Sequence, residues 1–301
     1  MSIAFAVIFY GVFVAWSDFS ALGNALVSFK WNYLWAILAL SLANFLIRFI
    51  KWQYYLNILS LKIPRLDSLE IFLAGLSLSI TPGKLGEVFR SYLLKIKYQI
   101  PLSKTGTIVI ADRLSDLIAM VVLSTIGAIG YQYGQKIIWL TAGAILILVV
   151  MVVVRPIGDK IVKLLNHFSF FKRRAKAINS LYESSYQMLL PRRLLLTSAL
   201  AVLGWGMEAL GFWLTFRAIG TNLSLLAAMF IYSFSTIVGA ISALPGGLGV
   251  TESSMAGLLV LANINKAVAF AATLVIRAAT LWFAVALGGV ALLIFQKRNK
   301  L

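Results

Sequence analysis

Charged side chains inside long apolar runs are the residues of this chain best placed to do chemistry. They come in both signs: Lys84, Glu87 and Arg90, then Asp112, Arg113 and Asp116, then Glu208, Glu252 and Arg277. A charge in hydrocarbon is costly unless it meets a partner, a ligand or water, so each of these is a functional candidate. The cations suit a phosphate or a carboxylate. The carboxylates can pair those cations, or receive an ammonium or a proton. Pairing is the plainer expectation for Asp112 and Asp116, whereas Arg277 has no close partner in sequence and is expected to meet a ligand. Together these nine residues form the expected substrate-binding set.

Two helix breaks position them. Pro82, Gly83 and Gly86 interrupt one apolar run, and Pro245, Gly246, Gly247 and Gly249 interrupt another. Proline and glycine open the backbone hydrogen-bond ladder, and a bilayer tolerates this only where protein or a wet cavity covers the break. A helix restarting after Gly86 or Gly249 presents unpaired N–H groups and a partly positive dipole end, which favours anions.

Hydrophobic residues make up 61% of the chain and charged residues 12%, and the mean hydropathy is +0.92. Those values exclude an ordinary soluble domain and predict an all-α polytopic membrane protein. A net charge of +17 would point to nucleic acid in a soluble chain. Here the Lys and Arg residues cluster at helix ends, where they hold loops on the cytoplasmic side and meet anionic lipid, so no nucleic-acid partner is expected. There is no cysteine, and the single histidine, His167, has no ligand cluster near it. No metal, cofactor or thiol chemistry is therefore expected. Without a phosphate-binding Gly-x-x-x-x-Gly-Lys-Ser/Thr loop, ATP-driven transport by this chain alone is not expected either.

Apolar run lengths predict a retained first helix at 3–16, an interfacial stretch to Lys30 and spans at 31–59, 104–130, 137–154, 194–219 and 267–295. Short arms at 69–80 and 86–94 flank the first break, and an arm at 223–243 and a short piece ending at Leu261 flank the second. Half-length arms around a Pro-Gly break describe a re-entrant hairpin. The second arm is long enough to cross completely, which would move its break from the midplane to the cytoplasmic face. Arg48 and Lys51 lie late in their span, and Lys51 is expected to snorkel to the interface. Residues 155–193, with Lys160, Lys163, Lys172, Arg173, Arg174, Lys176 and Arg192 beside Ile161, Leu164 and Phe168, read as an amphipathic cytoplasmic segment.

The two halves share landmarks. Trp52 and Trp213 precede the breaks at similar distances, and Arg113 and Arg277 follow Pro82 and Pro245 by 31 and 32 residues. Basic turns around Lys62 and Arg65, around Lys95, Lys97 and Lys104, the loop at 155–193 and the tail fall on one side, which the positive-inside rule makes cytoplasmic together with both termini. The expectation is a single membrane domain of about six spans and two re-entrant hairpins, arranged as inverted repeats at 31–130 and 194–296.

Thr81-Pro82-Gly83-Lys84-Leu85-Gly86-Glu87 with Arg90, Ala111-Asp112-Arg113-Leu114-Ser115-Asp116, and Leu244-Pro245-Gly246-Gly247-Leu248-Gly249 with Glu252 resemble the lysylphosphatidylglycerol synthase transmembrane-region family. That family includes the flippase domain of the multiple peptide resistance factor. The resemblance covers the whole chain and implies a lipid-translocating domain in the cell membrane. The sequence ends at Leu301, short of the further spans and aminoacyl-transfer domain of the full resistance factor, so synthase activity is not expected. The expected partners are membrane lipids with anionic or phosphate-bearing headgroups. The alternatives are a membrane-embedded transferase acting on lipid phosphates, with Glu87, Asp112 or Asp116 as general base, and a non-catalytic accessory subunit docking on a lipid-modifying enzyme through residues 155–193.

Overall fold

The computed structural model describes residues 19–81, 86–129, 143 and 185–299. The expected helix at 3–16, nearly all of the span at 137–154 and residues 155–184 of the basic loop, His167 included, lie outside the described residues.

All regular structure among the described residues is helical. A short helix α1 (Phe19–Val27) leads into α2 (Asn32–Ile58), then come α3 (Arg65–Leu76), α4 (Gly86–Tyr98) and α5 (Leu102–Ala128). The second half holds α6 (Pro191–Ile219), α7 (Leu225–Ile241), a 3-10 turn at Pro245–Gly247, α8 (Val250–Leu261) and α9 (Lys266–Asn299). Local chemistry sets several boundaries. Pro191 occupies the first turn of α6, where its missing N–H costs nothing and its fixed φ helps, so Arg192 and Arg193 belong to this helix rather than to the preceding loop. Gly220 ends α6 in the left-handed conformation (φ +85°). The side chains of Ser224 and Asn265 accept hydrogen bonds from Ala227 N (3.1 Å) and Ala267 N (2.9 Å) at the starts of α7 and α9.

Helices α2, α6 and α9 are long and apolar enough to cross a membrane. Helix α5, of 27 residues, is equally long but carries Lys104, Asp112, Arg113 and Asp116. About half of its residues are buried, Asp112 and Asp116 among them, while Ile110, Val122 and Ile126 are exposed. The most extensive packing is α2 along α6, followed by α7 on α5 and α3 on α9. A short arm of each half therefore lies on a long helix of the other. Glycine permits both approaches: a Cβ on Gly127 of α5 would fall 2.4 Å from Phe230 N, and one on Gly288 of α9 only 2.1 Å from Ser77 N. Membrane helices are held together by such close backbone contact more than by the hydrophobic effect, because lipid tails are as apolar as the side chains.

Two apolar clusters mark opposite ends. Tyr55, Leu59, Leu94, Leu194 and Phe295 pack where α2, α4 and α9 finish and α6 begins. Phe29, Ala128, Phe216, Leu223 and Ile264 pack at the other end. The first hairpin opens at the former and the second at the latter. In each half the indole of the preceding long helix pins the entry of the arm: Trp52 Nε1 donates to Ser68 Oγ (3.1 Å) and Trp213 Nε1 to Leu223 O (3.1 Å). The tips meet, since a Cβ on Gly246 would sit 3.2 Å from Ile80 Cα. Helix α7, roughly 25 Å long at 1.5 Å per residue, thus stops at the level of the first tip instead of crossing to the opposite end.

At the first hairpin's open end a polar cluster ties α3, α4 and α9 together. Tyr98 Oη donates to Asp67 Oδ2 (2.5 Å), Lys97 Nζ lies 3.0 Å from the same oxygen, and Arg298 Nη1 lies 3.0 Å from Glu70 Oε2. The hydrogen bond from Tyr98, aided by the Lys97 ammonium and opposed by burial, holds the Asp67 carboxyl below the usual carboxylate range. Burial and the carboxylate beside it push the Tyr98 phenol up to about 12. A depressed carboxyl pKa stabilises the fold above the unfolded value near ~4, and the contribution disappears as pH falls through the lower folded value. The thermal unfolding temperature of purified protein will therefore drop on acidification below about pH 4. Asp67→Asn will flatten that part of the profile; an identical acid limb in the variant would refute the assignment.

Candidate functional site

The first break leads into α4, whose first turn carries Glu87, and Glu87 Oε1 lies 2.5 Å from Arg113 Nη2. Arg48 Nη2 stands 3.6 Å from the same oxygen and 3.9 Å from Asp116 Oδ2, with its guanidinium 5.5 Å over the Trp205 ring. A second buried group lies behind them. Lys51, expected at the interface, is only 1% exposed and reaches Asp112 Oδ1 (2.7 Å), Asp116 Oδ1 and Ser115 Oγ (3.2 Å). Asp112 and Asp116, four residues apart, share one face of α5, and α2 packs that face with its ammonium. Ser115 Oγ also lies 3.2 Å from Tyr55 Oη, which completes the group.

The second break is built differently. Gly246 (φ +59°) and Gly249 (φ +87°) adopt left-handed backbone open to glycine with little strain. Glu252, fully buried, accepts from Gly249 N through Oε2 (2.8 Å) and from Arg277 Nε through Oε1 (2.6 Å). Arg277 Nη2 also donates to Gly246 O (2.8 Å), so one guanidinium holds both the turn and the helix start. A partner for Arg277 does exist, but 25 residues earlier in the chain. A π-helical turn at Ala278–Trp282 follows Arg277 directly and brings Thr280 and Leu281 to the same space. Tyr232 of α7 donates its phenol hydrogen to Glu208 Oε2 of α6.

Between the tips lies a cavity of about 240 Å³, lined from the first half by Arg48, Gly86, Glu87, Arg90 and Arg113, and from the second by Glu208, Tyr232, Gly246, Gly247 and Arg277. Pockets that enclose a whole drug-sized ligand measure roughly 300–1,000 Å³, so this one fits a headgroup rather than an entire lipid. Four arginines and two glutamates line it. Among the expected site residues, Asp112 and Asp116 face Lys51 instead, and Glu252 stands behind Arg277 with Pro245 and Gly249 in the supporting turn. Pro82, Gly83 and Lys84 lie outside the described residues.

Arg48, Ser79, Trp205, Tyr232 and the notch glycines Gly75 and Gly239 also line the cavity and were not among the expected site residues. A Cβ on Gly75 would fall 2.9 Å from Gly86 O, and one on Gly239 would fall 1.9 Å from Thr251 Oγ1, so each hairpin crosses itself at a glycine. Their placement, seven residues before Pro82 and six before Pro245, was a readable sign of the shared design. No group of His, Cys, Asp and Glu suited to a metal ion occurs among the described residues.

Helical hairpins that meet tip to tip around a charged cavity, carried on long apolar helices, define an all-α membrane protein. The chain belongs to the family described as the lysylphosphatidylglycerol synthase TM region, whose profile matches residues 2–288. It is similar to a UPF0104 membrane protein of Methanocaldococcus jannaschii, 30% identical over 228 residues that cover 73% of this chain and 94% of the relative. A UPF0104 membrane protein of Methanothermobacter thermautotrophicus is 26% identical over 265 residues, covering 79% of this chain and 78% of that protein. One from Pyrococcus horikoshii is 24% identical over 272 residues, covering 81% of each chain.

Proposed function

We propose that this protein moves a lipid with a phosphate-bearing headgroup across the cell membrane, acting as a flippase or scramblase with its basic end in the cytoplasm. The observation that carries this reading is the headgroup-sized cavity between the two hairpin tips, rich in arginine and lined by both halves. In this reading the two halves rock against each other, exposing the cavity to one side and then the other, as inverted repeats do in transporters. The lipid is a phospholipid or a polyprenyl-phosphate-linked lipid, with acyl or prenyl chains left in the bilayer. Membership of a lipid-related membrane family agrees with this. A transferase using Glu87, Asp112 or Asp116 as general base has less support, because each of those carboxylates is engaged by a cation.

Vesicles reconstituted with purified protein and fluorescent phospholipid test the reading. Wild type will equilibrate lipid between leaflets faster than protein-free vesicles, and Ser79→Trp, which fills the cavity from its wall, will reduce the rate by about tenfold or more, a barrier increase of roughly 1.4 kcal/mol. Movement by wild type no faster than in protein-free vesicles would sink the proposal.

A further inference from the structure

Arg90 differs from the other arginines of the cavity. Arg113 has Glu87, Arg277 has Glu252, and Arg48 lies between Glu87 and Asp116. Arg90 is 3% exposed and lines the cavity, yet no carboxylate stands within ion-pair distance of it among the described residues. Its Nε is buried without a hydrogen-bond partner. A buried cation is very costly unless something answers its charge.

The surroundings hold its plane in place. The guanidinium carbon lies 4.1 Å from the centre of the Phe72 ring and 5.8 Å from that of Trp52. The side chain passes through the notch at Gly75, where an added Cβ would fall 2.5 Å from Arg90 Cγ and 2.6 Å from Nε. Aromatic faces attract a cation and fix its orientation, but they accept no strong N–H hydrogen bonds. The guanidinium is thus oriented and its fork is left for a ligand. Gly86, at the start of the 13-residue helix α4, lines the same cavity, so the positive end of that helix adds to the field.

We propose that Arg90 is the anion receptor of the cavity, the arginine that takes the phosphate of the headgroup, while Arg48, Arg113 and Arg277 are held by carboxylates and shape the walls. This rests on the lipid-moving reading for the source of the phosphate, not for the anion site itself. A guanidinium fork matches two phosphate oxygens, and burial of Arg90 strengthens the contact. It also moves the centre of recognition away from Arg113 and Arg277, the arginines that the spacing of the two breaks singles out.

The test uses the full chain in detergent micelles, with dioleoylphosphatidylglycerol, diacylglycerol and inorganic phosphate as probes, read by native mass spectrometry and thermal unfolding. Wild type will retain phosphatidylglycerol and not diacylglycerol, and Arg90→Met will bind the phospholipid about tenfold or more weakly, the loss expected for one charge-assisted contact. Arg90→Lys, which keeps the charge without the fork, will recover part of the binding. Without lipid, Arg90→Met will unfold at the same temperature as wild type or higher, because it removes a buried charge that has no ion-pair partner among the described residues. A lower unfolding temperature without lipid would make Arg90 structural and overturn the proposal, as would phospholipid binding equal to wild type. Inorganic phosphate that binds wild type as tightly as the phospholipid, and Arg90→Met more weakly, keeps the anion site and assigns it to free phosphate. Wild type that binds phospholipid through Arg90 but moves none across vesicles fails the transport reading and leaves the anion site standing.

Discussion

Glu252→Ala will cost about 3–5 kcal/mol of stability, because it leaves the guanidinium of Arg277 buried without its carboxylate. Glu252 is fully buried and makes two contacts at once, to Arg277 Nε at 2.6 Å and to Gly249 N at 2.8 Å. Both contacts hold the second break, so the turn at Pro245–Gly247 and the start of α8 lose their shared support together. The measurement is thermal or denaturant unfolding of solubilised protein, with the double variant Glu252→Leu/Arg277→Met as partner. Removing both charges replaces the pair with apolar volume and will restore a large part of the loss. If the single variant unfolds like wild type, Glu252 is not the residue that compensates Arg277.

Lys51→Met will have an effect of the same size, about 3–5 kcal/mol, for the opposite reason. It removes the ammonium that serves both Asp112 and Asp116 and leaves two carboxylates facing each other inside the protein. Arg48, at 3.9 Å from Asp116 Oδ2, offsets part of one carboxylate's charge but forms no ion pair with Asp112 among the described residues. Adding Asp116→Asn to Lys51→Met will recover part of the stability, since it removes one of the two carboxylates left without the ammonium while Asp112 stays. A double-mutant cycle over Lys51 and Asp116 reads the coupling directly. A coupling near zero would mean that the pair seen between α2 and α5 does not hold the fold.

These two pairs show where reading along the chain succeeds and where it stops. The long helices were legible: 31–59 was expected and Asn32–Ile58 is seen, and 104–130 is seen as Leu102–Ala128. The second Pro-Gly break and the arms that flank both breaks were legible as well, although α3 starts earlier than expected, at Arg65, and α4 runs past Leu94 to Tyr98. Lys51 was misread. Lys51 lies seven residues before the end of α2, so its distance from the interface pointed to snorkelling. Its true partners are 61 and 65 positions away, on a face of α5 that only packing brings to it. Arg277 looked unpartnered because its carboxylate lies across a loop, on the other side of a helix turn. The notch glycines Gly75 and Gly239 were visible as residues, but their purpose depends on which backbone crosses them.

The amino-acid order by itself determined that this is a helical membrane protein broken twice by Pro-Gly, with basic residues at one set of turns. Apolar length, helix breaking and charge bias are properties of contiguous residues and need no partner to express them. Only the tertiary structure decided that the hairpin tips meet at Gly246 and Ile80, that Lys51 answers Asp112 and Asp116, that Glu252 answers Arg277, and that Arg90 stands over Phe72 without a carboxylate. Charges inside a protein are paired by the helix faces that meet, and the packing of small residues chooses those faces.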